Sequence, residues 1–130
     1  NYSASTGSEL LNATFDQIEL VGTAMTVSSG VWTFPFTGKF IVSYNIIGAS
    51  SAAAAYRGGS IHFTTDNSSY SNVGSGYTSS TANTYWVCFL SSFVDVTNTS
   101  NCKIKLNVEN AGNCTVSNQT NVVFEYIGDT

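Results

Sequence analysis

The strongest indication of a fold in this chain comes from the segment Gly30–Tyr44, which reads GVWTFPFTGKFIVSY. Its apolar side chains recur at every second position on both sides of a Thr-Gly pair, at Phe34, Phe36, Phe40, Val42 and Tyr44. A period of two places such side chains on one face of a sheet. Gly38 suits a tight bend between two strands. Pro35 lacks an amide donor, so we expect it at a sheet edge or at the first residue of a strand. The segment predicts a strand, a kink and a second strand.

Short strand candidates recur along the rest of the chain. We predict strands at Leu10–Leu20, Ala24–Val27, Val31–Phe36, Lys39–Gly48, Ser60–Thr65, Tyr85–Val96, Cys102–Asn110 and Val122–Ile127. Clusters of Gly, Ser, Asn and Asp separate them, a pattern typical of an all-β sandwich or barrel. The small residues of Ala49–Ala55 predict a loop or a tightly packed strand. The polar stretch Asp66–Asn83 predicts a long surface loop, where binding residues are often found.

The composition excludes several classes of function. Charged residues make up 9% of the 130 residues, against about 25% in an average soluble domain. The net charge is −4 with only four basic residues, too few for a nucleic-acid interface. No apolar run approaches the roughly 18 residues of a membrane-spanning helix, and we expect no membrane insertion. The length predicts a single domain over residues 1–130. Because the chain begins at Asn1 rather than Met, we expect it to be the C-terminal part of a longer protein.

The three cysteines allow two interpretations. Cys88, Cys102 and Cys114 match no zinc-binding spacing. Cys88 lies in an apolar strand, which favours a buried free thiol. A disulfide between two of the three is the alternative.

Residues suited to catalysis or metal binding are sparse. His62 is the one histidine, and the chain contains no G-x-S-x-G nucleophile motif. Cys88 could pair with His62, but an apolar strand would raise its thiol pKa and lower its reactivity. Asp66 and Asn67 could supply oxygen ligands for calcium, although Asp-Asn also forms turns. We expect no enzyme activity, no cofactor and no metal.

The segment around Gly38 resembles the G-x-Y-x-F-x-Y core signature of C1q/TNF-like jelly-roll domains. Here the pattern is Gly38-x-Phe40-x-Val42-x-Tyr44, preceded by Phe34 and Phe36. The hairpin formed by 93–96 and 102–106 and the ending 123–128 are similar to the family's late hairpin and terminal strand. The hairpin turn is Asn98-Thr99-Ser100-Asn101, where the family has a Gly-Asp type of turn, and the ending lacks the family's Phe-Ser-Gly run.

The resemblance implies a ten-strand antiparallel jelly-roll sandwich that assembles as a homotrimer and acts by binding, not by catalysis. Members of the family occur behind collagen stalks in animals, at the ends of phage tail fibres and on virion surfaces. The Asn-, Ser-, Thr- and Gly-rich, Lys-poor composition is typical of the viral type. We therefore expect an extracellular domain on a virion surface that binds a host cell-surface receptor, which could be a glycan.

The expected ligand site is the predicted polar loop together with a nearby arginine. Its residues are Arg57, Asp66, Asn67, Tyr70, Asn72 and Tyr77. Tyrosines in Ser-, Gly- and Asn-rich loops give adaptable contact surfaces, although they could equally cover a sandwich edge or a neighbouring subunit. Two alternative functions stay open: a trimerisation or capping module of a fibre without its own ligand, and a secreted cellular recognition domain. For the last, the N-x-S/T sequons at Asn1, Asn12, Asn67, Asn98, Asn113 and Asn118 would carry glycans.

Overall fold

The computed structural model describes residues 2–13 and 22–130, and within them the regular structure is β-strand. The eleven strands are β1 (Tyr2–Ala4), β2 (Gly7–Leu10), β3 (Thr26–Ser28), β4 (Val31–Thr33), β5 (Gly38–Ser50), β6 (Ala54–Thr64), β7 (Ser71–Ser80), β8 (Thr84–Val96), β9 (Lys103–Asn110), β10 (Cys114–Val116) and β11 (Asn121–Gly128). The all-β prediction is confirmed. None of these described residues belongs to a helix that could span a membrane.

The strands form two antiparallel sheets, each built around one long strand. In the β5 sheet, β5 pairs with β8 along its whole length, and the other edge of β5 pairs with β11 and β10. Strand β1 extends this sheet beyond β10. In the β9 sheet, β9 pairs with β6 on one edge and with β2 and β4 on the other. Strand β7 extends this sheet beyond β6, and β3 extends it beyond β4.

The core lies between the two sheets and follows from the alternation of side chains. Every second residue of β5 is buried from Gly38 to Gly48, and β9 alternates in the same way. Phe40, Val42, Tyr44 and Ile46 of β5 join Ile104, Leu106 and Val108 of β9 in one buried cluster. The common face predicted for Phe40, Val42 and Tyr44 is therefore confirmed as the core face.

The segment before β5 differs from the prediction. Strand β4 ends at Thr33, so Phe34 lies in the core outside a strand, while Phe36 is 39% exposed. The ring of Phe36 packs beside Phe40 and Tyr126 at centroid distances of 5.6 and 5.2 Å. Gly38 is the first residue of β5 and not a bend. Glycine is required there because φ is +147° and a Cβ atom would lie 2.4 Å from the Tyr126 ring.

The largest correction concerns the predicted loop Asp66–Asn83, most of which is strand β7. Gly74 and Gly76 hide this strand from a hydrophobicity pattern, because glycine adds no apolar side chain to the buried side. A Cβ atom at Gly76 would lie 2.8 Å from Cys88 Sγ and 3.3 Å from Leu90 Cβ. At these two glycines the strand presents bare backbone inward, where it approaches β8 closely.

Three smaller predictions also need comment. Strand β6 begins at Ala54, so the last residues of the small-residue patch form a strand. Strand β2 ends at Leu10, and residues 14–21 of the predicted Leu10–Leu20 strand lie outside the described residues. Cys88, Cys102 and Cys114 are buried free thiols, so the disulfide alternative is wrong.

Replacing Phe40 with Ala should lower the free energy of unfolding by about 3–5 kcal/mol, because the ring is buried and the protein cannot collapse fully around the space left behind. Chemical denaturation monitored by circular dichroism would measure the change. The matched control is Phe89→Ala, since Phe89 is 66% exposed and should cost far less in an isolated protomer. Equal losses for both variants would contradict the assignment of the core face.

Replacing Tyr44 with Phe should raise the free energy of unfolding by about 1 kcal/mol. Tyr44 is fully buried, yet its hydroxyl has no hydrogen-bond partner among residues 2–13 and 22–130. A buried hydroxyl without a partner costs about 1–3 kcal/mol in lost hydration, and phenylalanine keeps the ring that packs beside Gly59. A thermal melt of both proteins at the same pH would measure the gain, and a lower melting temperature for Tyr44→Phe would show that the hydroxyl is satisfied.

Candidate functional site

The outer surface of the β5 sheet carries a cluster of exposed and half-buried apolar side chains, which we call the apolar face. Its members are Ile41, Ile47, Tyr85, Val87, Phe89, Phe93 and Val123. Tyr85, Phe89 and Phe93 are 80%, 66% and 56% exposed. Register places Ile41 opposite Phe93 and Ile47 opposite Val87, so the side chains of neighbouring strands are adjacent.

The sequence of β8 explains why this surface is apolar. Trp86, Cys88 and Leu90 point into the core, and the intervening Tyr85, Val87 and Phe89 point outward. A sheet with one face in water normally alternates apolar with polar residues, whereas strands covered on both faces are apolar throughout. Residues 84–90, TYWVCFL, are apolar almost throughout, as in a strand that is covered on both faces. This apolar run could have located the apolar face from the sequence.

The centre of the apolar face is uncharged. The polar side chains interspersed there are Ser43, Asn45 and Ser91, which face outward from β5 and β8. Charged side chains begin at one end, where Lys39 lies opposite Asp95 and Glu125 lies opposite Ile41. Covering this face would bury little charge, which keeps the cost of desolvation low.

Arg57 does not belong to a surface site. Its side chain is fully buried. The guanidinium donates to Ser80 Oγ at 2.8 Å, Asn110 Oδ1 at 3.4 Å, Gly112 O at 2.6 Å, Ser50 Oγ at 2.8 Å and Ala52 O at 3.1 Å. These contacts occupy its fork of donors and join the turn after β5, the end of β7 and the turn after β9. The donors of Arg57 are thus committed to the fold, and a ligand could reach the guanidinium only if these hydrogen bonds broke.

Asp66 and Asn67 form a turn. Asp66 Oδ1 accepts hydrogen bonds from Thr64 Oγ1 at 2.8 Å and from the backbone amides of Ser68 and Ser69 at 2.9 and 2.7 Å. The amide of Ser69, followed by that of Ser68, holds the pKa of this carboxyl well below its usual range. Asn67 has φ of +57°, a conformation that asparagine tolerates. The turn, one of the two interpretations of this pair, accounts for both residues.

The remaining predicted residues lie along the outer surface of the β9 sheet. Tyr77 is 58% exposed and packs edge-to-face against Tyr56 at a centroid distance of 5.8 Å. At the far end of β7, Asn72 pairs with His62, and the Tyr70 ring lies 3.9 Å from Lys105 Nζ. These residues share one surface without converging on a single point.

Between these ends lies a hydrogen-bonded cluster that the sequence analysis missed. Ser60 Oγ donates to Glu109 Oε1, which also accepts from Ser8 Oγ at 2.9 Å. His62 Nε2 lies 2.9 Å from Ser60 Oγ. The three residues meet because Ser60, His62 and Glu109 lie on the outward sides of paired strands. Finding this cluster therefore requires the β6–β9 register.

The cluster lacks the arrangement of a nucleophilic site. Because Ser60 gives its proton to Glu109, His62 must donate to the hydroxyl and cannot accept from it. Ser60 is also fully buried. Cys88 lies in the core rather than on the outer surface with His62, and burial raises its thiol pKa. Across residues 2–13 and 22–130, no three His, Cys, Asp or Glu side chains are grouped to hold a metal ion.

Comparison with solved structures identifies the fold. The crystal structure of murine APRIL at pH 8.5 has a TM-score of 0.72 and 9% identity, with 98% of this chain and 93% of that chain covered. A second murine APRIL structure, at pH 5.0, has a TM-score of 0.69 and 9% identity, with 92% and 90% covered. This is a TNF-like jelly roll. No family model matches the chain, and no curated protein matches its sequence.

The fold part of the resemblance drawn from Gly38–Tyr44 is thereby confirmed. At 9% identity the match establishes the jelly roll and nothing about the ligand or the assembly. The functional argument must come from the two outer surfaces of the sandwich.

Acidification should destabilise the protein through His62, the one histidine of the chain. Burial lowers its pKa, Glu109 opposes that shift and Lys105 adds to it. Below the unfolded pKa of about 6.5, the unfolded chain binds the proton more readily than the native protein, so stability falls as the pH drops toward the native pKa. Melting temperatures at about pH 7.5 and about pH 5.5 should differ more in the wild type than in His62→Gln. Equal differences would show that His62 does not cause the effect.

Proposed function

We propose that this chain is a non-enzymatic binding domain that assembles as a homotrimer through the apolar face and acts in adhesion to a host cell surface. The observation that supports the proposal is the cluster of exposed aromatic and aliphatic side chains on the β5 sheet. A monomeric soluble protein rarely exposes a large contiguous apolar patch, and such patches mark interaction sites. Aromatic residues on an uncharged centre are also the composition of an interface core.

A second copy of this chain suits the face better than a charged partner. The chain carries a net charge of −4, so identical copies repel one another through most of their surfaces. The uncharged centre around Ser43, Asn45 and Ser91 lets two copies meet there without opposing like charges. The three-fold arrangement rests on the C1q/TNF-like resemblance of Gly38–Tyr44, and a closed ring needs each copy to present two different surfaces to its neighbours.

The proposed location is the virion surface, at the end of a phage fibre. It is supported by the low content of charged residues and the abundance of Asn, Ser, Thr and Gly. A structural capping module without its own ligand is the second candidate. It is favoured by the commitment of Arg57 and Asp66 to internal hydrogen bonds, which removes two of the predicted ligand contacts.

Size-exclusion chromatography with light scattering should give a mass near three times 13.8 kDa. Phe89→Glu should shift this mass toward that of one chain, because it places a charge where copies meet. Phe89 is 66% exposed in the isolated chain, so the variant should keep its melting cooperativity. Val27→Glu, at an exposed position on β3, is the matched control and should leave the mass unchanged.

A wild-type mass of one chain would contradict the assembly. The adhesion part is tested by binding of the labelled wild type and Phe89→Glu to bacterial cells. The trimer should bind more tightly than the monomeric variant, because linked sites act together. A trimer that binds no cell type would favour the capping module.

A further inference from the structure

A polar strip runs along the outer surface of the β9 sheet, on the opposite side of the sandwich from the apolar face. We define the strip by Tyr56, Tyr77, Glu109, Ser75, Asn72 and Tyr70. We propose that this strip binds a neutral oligosaccharide chain. The inference rests on the proposed function, since it names the class of cell-surface ligand that the domain would recognise.

One end of the strip is an aromatic platform. Tyr56 and Tyr77 are 41% and 58% exposed, and their rings meet at an interplanar angle of 88°. The contact holds both rings in a fixed orientation without covering them. An exposed aromatic ring with a polar tip offers an apolar surface to the C–H face of a sugar and a hydroxyl to its oxygens.

Level with the platform, on β9, is a carboxylate that is already held in place. Glu109 Oε1 accepts from Ser8 and Ser60, and Asn107 Nδ2 in turn donates to Ser8 Oγ at 3.0 Å. Gly58 lies between Tyr77 and Glu109 in the strand register, so the platform and the carboxylate are two strand spacings, about 10 Å, apart. A pre-oriented acceptor loses little entropy when it binds a sugar hydroxyl.

The far end supplies further polar groups beside a second ring. Asn72 and Ser75 are exposed and hydrogen-bonded to each other at 2.8 Å. Tyr70 stacks under Lys105 Nζ. Tyr77 and Asn72 are five residues apart along β7, which corresponds to about 17 Å. The strip is therefore long enough for a short oligosaccharide chain and not only for a single sugar.

The charges favour a neutral ligand. Lys105 and Glu109 have opposite signs and lie on the same outward side of β9. A polyanionic ligand would meet the Glu109 carboxylate, and the chain has only four basic residues to oppose that repulsion. Because the strip and the apolar face belong to different sheets, a ligand on the strip and a neighbouring copy on the apolar face would not compete for the same side chains.

The test begins with an array of immobilised neutral and sialylated oligosaccharides probed with the labelled wild-type protein. The tightest neutral compound is then titrated calorimetrically into the wild type and four variants. Tyr77→Ala and Glu109→Gln should each weaken binding by about tenfold or more, as expected of the few residues that carry most of the binding energy. Tyr77→Phe keeps the ring and should bind within a few-fold of the wild type. Val27→Ala changes an exposed side chain on β3, outside both the strip and the apolar face, and should leave the affinity per protomer unchanged.

The possible failures of the two proposals are distinguishable. A folded trimer that binds no neutral oligosaccharide, or only sialylated ones, overturns the inference and leaves the assembly intact. Binding that persists in both Tyr77→Ala and Glu109→Gln overturns the strip as the site. A monomer by light scattering whose oligosaccharide affinity depends on Tyr77 and Glu109 supports the strip while the homotrimer fails.

Discussion

The structure depends on the uninterrupted pairing of β5 with β8. The register runs from Gly38 opposite Val96 to Ser50 opposite Thr84 without a bulge. Because successive side chains point to opposite faces, this register determines at once which residues enter the core and which form the apolar face. A slip of one residue would place the core aromatics on the outside and the exposed ones in the core. Two glycines support the arrangement: Gly38 makes room for Tyr126, and Gly48 lets the Trp86 ring lie against the backbone of β5.

The two sheets present surfaces of different chemistry. The β5 sheet is apolar on both sides, as expected of a strand layer that is covered twice. The β9 sheet is apolar only toward the core and carries hydroxyls, amides, tyrosines and a few charges on its outer surface. This division separates a surface suited to self-association from one suited to a polar ligand. A domain with both properties could be held in an assembly and still present its second surface.

Buried polar groups stabilise the end of the sandwich. Arg57 is the clearest case, because its guanidinium binds backbone and side-chain oxygens of three separate segments. Cys114 Sγ donates to Asn110 Oδ1 in the same region. Removing Arg57 would leave several of these oxygens buried without partners, which is costly. A basic residue next to glycines looks like a ligand contact in the sequence, and only its burial shows that it is structural.

The sequence by itself determined the all-β class and the core face of β5, which follow from local alternation, since residues 40, 42 and 44 share a face whatever they pack against. The jelly-roll fold was implied by the resemblance of Gly38–Tyr44 to the C1q/TNF-like signature. Strand β7 was hidden, because two of its inward positions, Gly74 and Gly76, are glycines that allow a close approach to β8. The assignment of the ligand residues could not be made from the sequence either. Arg57 and Tyr77 are 20 residues apart in the chain. In the β6–β7 register Arg57 pairs with Thr78, the neighbour of Tyr77, yet Arg57 is buried and Tyr77 is exposed. Only the tertiary structure decides such differences, because the hydrogen-bond partners of the Arg57 side chain come from β5, β7 and β9.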